Sequence, residues 1–387
     1  MKKTIKDFDL EGKKVIIRCD LNVPMENNAI EDDTRIVASL RTIKYALRNN
    51  AKVILLSHLG KIKKEEDKAQ NSLYPVSLKL SEYLNREVLF SPKTHGEELT
   101  EMANNLKNGE VLLIENTRYE DLPNKKESNC DESLSKYWAS LGDIFINDAY
   151  GTCHRNHASV TGIPKYLPSG IGFLVEKELQ KIDNILDSKT HPFVAVLGGK
   201  KVDDKITLIE SLVKQTDKLI IGGAMSFTFL KAKGYNTGNS IISTEHLDFA
   251  KNMLDKYGDK IVLPVDFVTE AEDKTIEEFT SDDIGYDIGP KTVKLFEKNL
   301  AEAKRVILNG PMGLFEDKKY SKGTSKLFKY LDKNKIKTVI GGGDSASAVN
   351  SLGFADSFYH VSTGGGATMK YLENRTLVGI EAIENKN

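Results

Sequence analysis

Short apolar runs recur along the chain, and each ends in Gly, Asp, Asn, Ser or Arg. Runs that are apolar throughout, rather than alternating with polar residues, predict strands buried on both faces, as in a parallel sheet. The predicted strands are Val15–Arg18, Val53–Ser57, Val111–Asn116, Ile144–Asp148, Val194–Gly198, Leu219–Gly223, Ile261–Asp266, Val306–Gly310 and Thr338–Gly343.

Stretches with apolar residues at helical spacing lie between these runs. They are Asp33–Asn49, Ser133–Leu141, Thr207–Thr216, Phe227–Lys233 and Thr244–Tyr257. Strands that alternate with helices predict an α/β, doubly wound fold.

The predicted strands are too many for one open sheet, because sheets usually contain about 4–6 strands. We therefore expect two Rossmann-like doubly wound parallel-sheet domains joined by a hinge helix. Prolines and glycines cluster in Pro164–Phe173, which marks the expected break, and Glu176–Ser188 predicts a charged connecting helix.

Composition adds limits to this picture. The chain has 387 residues, 40% hydrophobic and 29% charged, with a net charge of −1, so neither a nucleic-acid nor a membrane partner is indicated. The N-terminus lacks the apolar core of a signal peptide, and we expect a cytoplasmic protein. Cys19, Cys130 and Cys153 form no CxxC pair and predict free thiols in a reducing compartment.

Charged residues follow the predicted strands of the first half, at the edge where ligands of open α/β sheets bind. The charged residues are Asp20, Lys61, Arg118 and Arg155, with Arg35 at the start of a helix, and the polar residues Asn22, His58 and His154 accompany them. Arginine grips phosphate or carboxylate with a planar fork, so the group predicts a site for a small, multiply charged anion. Ion pairing at the surface is the alternative for any one residue. Metal ligation by His154 and His157 is disfavoured, because no ligand spacing accompanies them.

Glycine runs follow the predicted strands of the second half. They are Gly198–Gly199, Gly222–Gly223, Asn309–Gly313, Gly341–Gly343 and Gly364–Gly366. Glycine lets backbone N–H groups approach a phosphate closely, so repeated runs predict a nucleotide site rather than tight turns alone. No GxxxxGK[ST] occurs, and no GxGxxG follows the first strand, which disfavours a P-loop enzyme and a dinucleotide-binding dehydrogenase.

Three residues of the second half have open interpretations. Asp344 follows three glycines and is either a helix N-cap or a ligand for the magnesium of a nucleotide. Lys201 and Lys205 are four apart, so on a helix they would share one face, either in solvent or against a phosphoryl group. An anion site and a nucleotide site together predict phosphoryl transfer with hinge closure.

The sequence resembles phosphoglycerate kinase from about residue 5 to about residue 383. The resemblance rests on motifs in the order of that family: RCDLNVP (18–24), DDTRI (32–36), SHLG (57–60), ENTRYE (115–120), NDAYGTCHRNHAS (147–159), LGGKKVDDKI (197–206), GGAMSFTFL (222–230), LPVDFV (263–268), NGPMGLFE (309–316), GGGDSA (341–346) and HVSTGGGA (360–367). It implies a monomeric glycolytic enzyme that transfers a phosphoryl group between 1,3-bisphosphoglycerate and ADP.

The resemblance also implies domains and site residues. Residues 1–172 would bind the acid, residues 173–188 connect, residues 189–370 bind the Mg²⁺-nucleotide, and the tail 371–387 returns to the first domain. The acid-binding residues would be Asp20, Asn22, Arg35, His58, Lys61, Arg118 and Arg155. The nucleotide-binding residues would be Gly199, Lys200, Lys205, Gly223, Asn309, Pro311, Glu316, Gly341, Gly342, Gly343, Asp344 and Ser345, with Glu316 on the ribose and Asp344 on Mg²⁺.

Four catalytic groups follow from the charge of the transferred phosphoryl group. Arg35 and Lys201 would hold its equatorial oxygens, and the backbone donors of Gly342 and Gly343 would add to them.

The sequence departs from the family at Lys61, where arginine is usual, at Lys200, where a small residue is usual, at Thr368–Lys370, and at Asn374 and Val378. Because these departures spare the predicted catalytic groups, a non-catalytic relative is disfavoured. A kinase for another small acid is the alternative hypothesis that agrees best with the sequence, because the choice of substrate depends on a few side chains such as Lys61.

Overall fold

A computed structural model describes residues 1–386, which divide into two units. Unit 1 consists of Met1–Leu179 and the C-terminal segment from Thr376, and unit 2 consists of Gln180–Arg375. The division therefore falls later in the sequence than the predicted break at Pro164–Phe173.

Unit 1 is built on a parallel sheet of six strands. Its strands, with those of a small hairpin, are β1 (Lys14–Cys19), β2 (Met25–Glu26), β3 (Ala29–Ile30), β4 (Lys52–Leu56), β5 (Val88–Ser91), β6 (Val111–Ile114), β7 (Ile144–Asp148) and β8 (Ser169–Ile171). The order in the sheet is β5-β6-β4-β1-β7-β8, and β2 pairs with β3. β6, β4, β1 and β7 are thus neighbours, and the residues that follow them meet at one edge.

Unit 2 repeats this arrangement and adds a small antiparallel sheet. Its strands are β9 (Phe193–Leu197), β10 (Lys218–Ile221), β11 (Ile261–Val262), β12 (Asp266–Val268), β13 (Asp273–Thr275), β14 (Asp287–Ile288), β15 (Arg305–Asn309), β16 (Lys337–Gly341) and β17 (His360–Val361). The parallel sheet has the order β11-β10-β9-β15-β16-β17, and the antiparallel one has the order β13-β12-β14.

Continuous burial accounts for the central strands. Every residue of β6, β7, β9 and β15 is buried, so apolar side chains on both faces pack against helices. The prediction of a single strand at Ile261–Asp266 was wrong, because β11 ends at Val262 and β12 belongs to the other sheet. Pro264 lies between them, and proline has no N–H group to continue a ladder.

The helices cover the parallel sheets. They are α1 (Thr34–Arg48), α2 (Glu66–Gln70), α3 (Tyr74–Leu84), α4 (Glu97–Asn105), α5 (Glu132–Ser140), α6 (Phe173–Leu186), α7 (Ile206–Gln215), α8 (Ser226–Ala232), α9 (Leu247–Tyr257), α10 (Pro290–Leu300), α11 (Lys322–Lys333), α12 (Gly343–Ser351), α13 (Gly366–Asn374) and α14 (Val378–Glu381). α6 contains the boundary between the units. Within residues 1–386, no helix is long and apolar enough to span a membrane.

The C-terminal segment completes unit 1. The side-chain amide of Asn147 donates to the carbonyl of Gly379 at 3.3 Å, and the amide of Gly379 donates to the carbonyl of Cys153 at 2.8 Å. The segment leaves unit 2 at Thr376 rather than at residue 371, because α13 packs on α7, where the Ser211 hydroxyl contacts the carbonyl of Leu372. Cys19, Cys130 and Cys153 are free thiols.

Candidate functional site

The charged residues predicted at the first sheet lie along one edge of unit 1. Asp20 follows β1, His58 follows β4, Arg118 follows β6, and Arg155 follows β7. Arg35 lies in the first turn of α1, and its Nη1 is 2.7 Å from Asp20 Oδ2. We call this group, with Asn22 and Lys61, the anion site.

His58 is a neutral imidazole in this site. Its side chain is buried, and its Nδ1 is 3.3 Å from Nη2 of Arg18. Burial lowers the pKa of His58 well below its usual value, and the positive charges of Arg18, Arg118, Arg155 and Arg35 lower it further. His58 can therefore donate one hydrogen bond to an anion without carrying a charge.

Arg118 is only partly satisfied by hydrogen bonds. Its Nη1 is 3.3 Å from Asp121 Oδ2, but its buried Nε has no hydrogen-bond partner among the described residues. Burial and the nearby Arg118 charge lower the pKa of Arg155. Several cations held close together repel one another, and a multiply charged anion would relieve this repulsion.

Asn22 and Lys61 occupy different positions at this edge. The Asn22 side-chain oxygen accepts from the amide of Gly60 at 2.8 Å, so it fixes the turn after His58. Lys61 is exposed and forms no ion pair within the part of the chain that is described. Sequence reasoning missed Asn116, whose side-chain oxygen accepts from the amides of Leu59 and Arg118.

Unit 2 has a cavity of about 360 Å³ at the glycine loops. It is lined by Gly199, Lys200, Gly223, Ala224, Ile241, Ile284, Gly285, Tyr286, Pro311, Gly313, Leu314, Phe315, Glu316 and Asp344. Its walls combine backbone, apolar side chains and two carboxylates, a mixture that suits a flat apolar ring carrying polar groups.

Close packing of three loops shapes the cavity. Gly223 has φ +63°, and a Cβ there would lie 2.6 Å from the amide nitrogen of Gly199. Gly310 has φ +95°, and its Cβ would lie 2.2 Å from the carbonyl oxygen of Gly198. Only glycine permits this approach, which brings the loops after β9, β10 and β15 together at the cavity.

The other predicted nucleotide residues lie behind or beside the cavity. The Ser345 hydroxyl accepts from the amide of Gly310 at 2.6 Å, and the Asn309 amide group donates to the carbonyl of Gly341 at 3.0 Å. These contacts tie the loop after β15 to the start of α12. Gly342 is the N-cap of that helix and Gly343 begins it.

Asp344 is not the helix N-cap, because Gly342 holds that position and no side chain caps the helix. Its carboxylate is exposed and lines the cavity. Among residues 1–386 it forms no ion pair within 4 Å, so it remains available to a cation.

Lys201 and Lys205 do not share one face, which corrects the interpretation from their spacing. Lys201 precedes the short 3₁₀ turn Asp203–Lys205, and its exposed ammonium is 4.0 Å from Asp203. Lys205 is buried, and this burial lowers its pKa although Asp204 and Asp344 oppose the shift. The helix α7 starts only at Ile206, so helical spacing does not apply to this pair.

Some cavity residues could not be found in the sequence. Leu314 and Phe315 lie within a quoted motif, but Ile241, Ile284 and Tyr286 come from loops that carry no signal of their own. Tyr286 is placed by stacking on Tyr320, with ring centroids 4.5 Å apart.

Comparisons with known proteins agree on one family. Residues 5–375 match the family described as phosphoglycerate kinase. The chain is 53% identical to a phosphoglycerate kinase of Fusobacterium nucleatum and 50% identical to one of Listeria welshimeri, with all of each chain covered.

Solved structures give the same result. A phosphoglycerate kinase from Coxiella burnetii matches with a TM-score of 0.89 at 36% identity, covering 99% of this chain and 98% of the other. One from Pyrococcus horikoshii matches with a TM-score of 0.84 at 30% identity, covering 98% of each chain. Both therefore share the fold over essentially the full chain.

Proposed function

The chain belongs to the phosphoglycerate kinase family, and we propose from that premise how its two units divide the substrates. The family's reaction is the reversible transfer of a phosphoryl group between 1,3-bisphosphoglycerate and ADP, which gives 3-phosphoglycerate and ATP in glycolysis. The assignment of substrates rests on one observation: unit 1 has a cluster of arginines with an unpartnered donor, whereas unit 2 has a glycine-lined cavity.

The anion site binds the phosphoglycerate in this proposal. Arg118 and Arg155 neutralise its charges, and neutral His58 donates an N–H group. Asn22 shapes the turn after His58, Asp20 holds Arg35, and exposed Lys61 contributes a more weakly directed charge than arginine would.

The cavity of unit 2 binds the nucleotide. Gly199, Gly223 and Pro311 form its floor, Glu316 accepts the ribose hydroxyls, and Lys200 lies at its wall. Lys205, Asn309, Gly341 and Ser345 support the phosphate end, where the buried ammonium of Lys205 has no carboxylate within 4 Å among the described residues.

Magnesium fits Asp344 in this arrangement. The exposed, unpaired carboxylate lies at the cavity, and Mg²⁺ usually takes one or two protein carboxylates together with phosphate oxygens. When bound, the ion would offset charge on the nucleotide phosphates.

Arg35, Lys201 and the amides of Gly342 and Gly343 are the proposed catalytic groups. Phosphoryl transfer leaves little covalent work for the protein, so charge neutralisation and positioning supply most of the catalysis. The exposed side chain of Lys201 is free to reach a bound ligand. Because acid and nucleotide bind to different units, we propose that hinge closure brings them together.

A cytoplasmic location and a monomeric state complete the proposal. Free cysteines are typical of a reducing compartment. Light scattering on the purified protein would test the monomer, and a mass of twice 43.1 kDa would contradict it.

The activity is tested by ATP turnover with Mg²⁺, with and without 3-phosphoglycerate, in an assay coupled to a dehydrogenase. We expect turnover only with the acid, and a loss of about 10²–10³ in kcat for Arg35→Ala and for Lys201→Ala. Arg48→Ala, at the exposed C-terminal end of α1, is the matched control and should keep full activity. A folded protein that shows no turnover with 3-phosphoglycerate would contradict the proposal, and other small acids would then be tested as substrates.

A further inference from the structure

Unit 1 contains a buried carboxylate that no part of the proposed site uses. Glu127 lies in the loop before α5, and its side chain has no exposed surface. Its Oε2 accepts from the amide of Ser159 at 2.9 Å, and its Oε1 accepts from the hydroxyl of Ser159 at 2.5 Å. A buried carboxylate is costly unless it is hydrogen-bonded and balanced by a cation, so its neighbours indicate its role.

Arg18 is the cation that stabilises the charged form of Glu127. Burial raises the pKa of Glu127, and the positive charge of Arg18 opposes this rise. The Ser159 hydroxyl oxygen accepts from Arg18 Nε at 2.8 Å and so links the two groups. His157 lies 3.8 Å from Glu127, but burial and nearby arginines lower its pKa to about 3, so it stays neutral. Arg18 is fully buried and also donates to the carbonyl of Cys19.

The chain of contacts ends at His58. Nη2 of Arg18 is 3.3 Å from Nδ1 of His58. Arginine has donors only, so the ring nitrogen that faces it must be the acceptor. Because the imidazole is neutral, its single proton lies on Nε2, and the tautomer of His58 follows from the position of Arg18.

We propose that Glu127 is a positioning residue which, through Ser159 and Arg18, holds His58 as the Nε2–H tautomer that donates to the acid. The predicted change in affinity for the acid rests on the proposed function, in which His58 binds that acid. The predicted change in the His58 tautomer does not rest on it, because the tautomer can be measured without a ligand.

The hydrogen-bond polarity makes this role specific to a carboxylate. Both oxygens of Glu127 accept, so the Ser159 hydroxyl points its hydrogen to Glu127 and its lone pairs to Arg18. Glutamine has one acceptor and one donor group. In one orientation the glutamine NH₂ group would face the Ser159 amide, which is also a donor. In the other orientation the NH₂ group would donate to the Ser159 hydroxyl and turn the hydroxyl hydrogen toward Arg18. Either arrangement would break the series of hydrogen bonds from Glu127 to Arg18.

Nitrogen-15 NMR of histidine-labelled protein tests the tautomer directly. His58 is assigned by the signal lost in His58→Asn. In the wild type we expect a protonated Nε2 and a bare Nδ1. In Glu127→Gln and in Ser159→Ala we expect signal from the Nδ1–H tautomer. A wild-type His58 protonated at Nδ1 would overturn the proposal.

Kinetics test the consequence for binding. In both variants we expect KM for 3-phosphoglycerate to rise about tenfold or more, with KM for ATP unchanged, since one charge-assisted hydrogen-bond chain is lost. Ser159→Ala keeps the test valid if Glu127→Gln does not fold.

Glu120→Gln is the matched control. Glu120 is also buried in unit 1 and accepts from a hydroxyl and an imidazole, those of Thr94 and His95, but does not contact Arg18. It should change neither the His58 tautomer nor KM for the acid. Unchanged tautomer and KM in Glu127→Gln and Ser159→Ala would overturn the proposal, whereas a wild type inactive on this acid would contradict only the proposed function.

Discussion

The anion site of unit 1 and the cavity of unit 2 lie at equivalent edges of similar sheets, yet they are built from different parts of the chain. The anion site is made of polar and charged side chains such as neutral His58, which contacts Arg18, and Arg118, which pairs with Asp121. The cavity is made largely of backbone, which Gly223 and Gly310 bring together. A single substitution can therefore remove a contact from the first site, whereas in the second it must first distort a loop.

The largest effect should come from breaking the backbone site. In Gly310→Ala the new Cβ would lie 2.2 Å from the carbonyl of Gly198 at a φ of +95°. We expect unit 2 to lose roughly 4 kcal/mol of stability, from backbone strain and overpacking together, and to lose nucleotide binding. Denaturant unfolding and calorimetric titration with Mg-ADP would measure both.

Gly343→Ala is the control for stability in the same region. A Cβ at Gly343 meets nothing within 4 Å, and its φ is not positive, so we expect stability within about 0.5 kcal/mol of the wild type. Equal destabilisation by the two variants would mean that the close packing at Gly310 is not the cause of the lost stability.

A feature that the two units share should give the next largest effect. Burial raises the pKa of Asp148, which accepts from the amide of Leu174 in α6, to about 7. Burial also raises the pKa of Asp287, which accepts from the amide of Gly323 in α11, to about 7.

The sign of the pH dependence follows from these raised values. The folded state binds the proton more tightly than the unfolded chain, so stability is complete below pH 4 for these groups and falls as pH rises to about 7. Ionisation of each group should lower the free energy of unfolding by roughly 2–3 kcal/mol between pH 5 and pH 8. Asp148→Asn and Asp287→Asn should each flatten the dependence of the unfolding free energy on pH. A slope unchanged in both variants would contradict this.

The smallest effect should come from one side chain of the anion site. Arg118→Ala removes the donor whose Nε lacks a partner, and we expect affinity for 3-phosphoglycerate to fall about 10–100-fold. Nucleotide affinity and stability should hardly change. Arg86→Ala, an exposed arginine of the same unit, is the matched control. A fall in nucleotide affinity of similar size would blur the distinction between side-chain and backbone sites.

Apolar runs predicted the central strands of both parallel sheets, because these strands are covered on both faces and their side chains are therefore mostly apolar. The shorter strands β5, β8 and β17 were missed. β8 contains Gly170 within the cluster that had marked a domain break, so composition favoured a linker where the structure has an edge strand. The extra antiparallel sheet depends on pairing between distant segments, which no local pattern reveals.

The candidate site was predictable where a residue follows a strand. His58 and Arg118 meet because their strands are neighbours in a parallel sheet. Glu127 and Ile241 belong to loops, and their positions depend on tertiary packing rather than on spacing. Lys201 and Lys205 show the opposite error, since a helical period was applied to residues before the helix starts.

The C-terminal segment of unit 1 has a consequence for the order in which a newly made chain folds. Unit 2 is one continuous stretch, and all of it has been synthesised before residue 376 is added. Contacts of unit 1 such as Asn147 to Gly379 and Lys3 to Glu384 involve residues that are synthesised after the whole of unit 2. Domains generally mature from the N-terminus as translation proceeds. Here all residues of unit 2 are synthesised before unit 1 can be completed by the segment from Thr376.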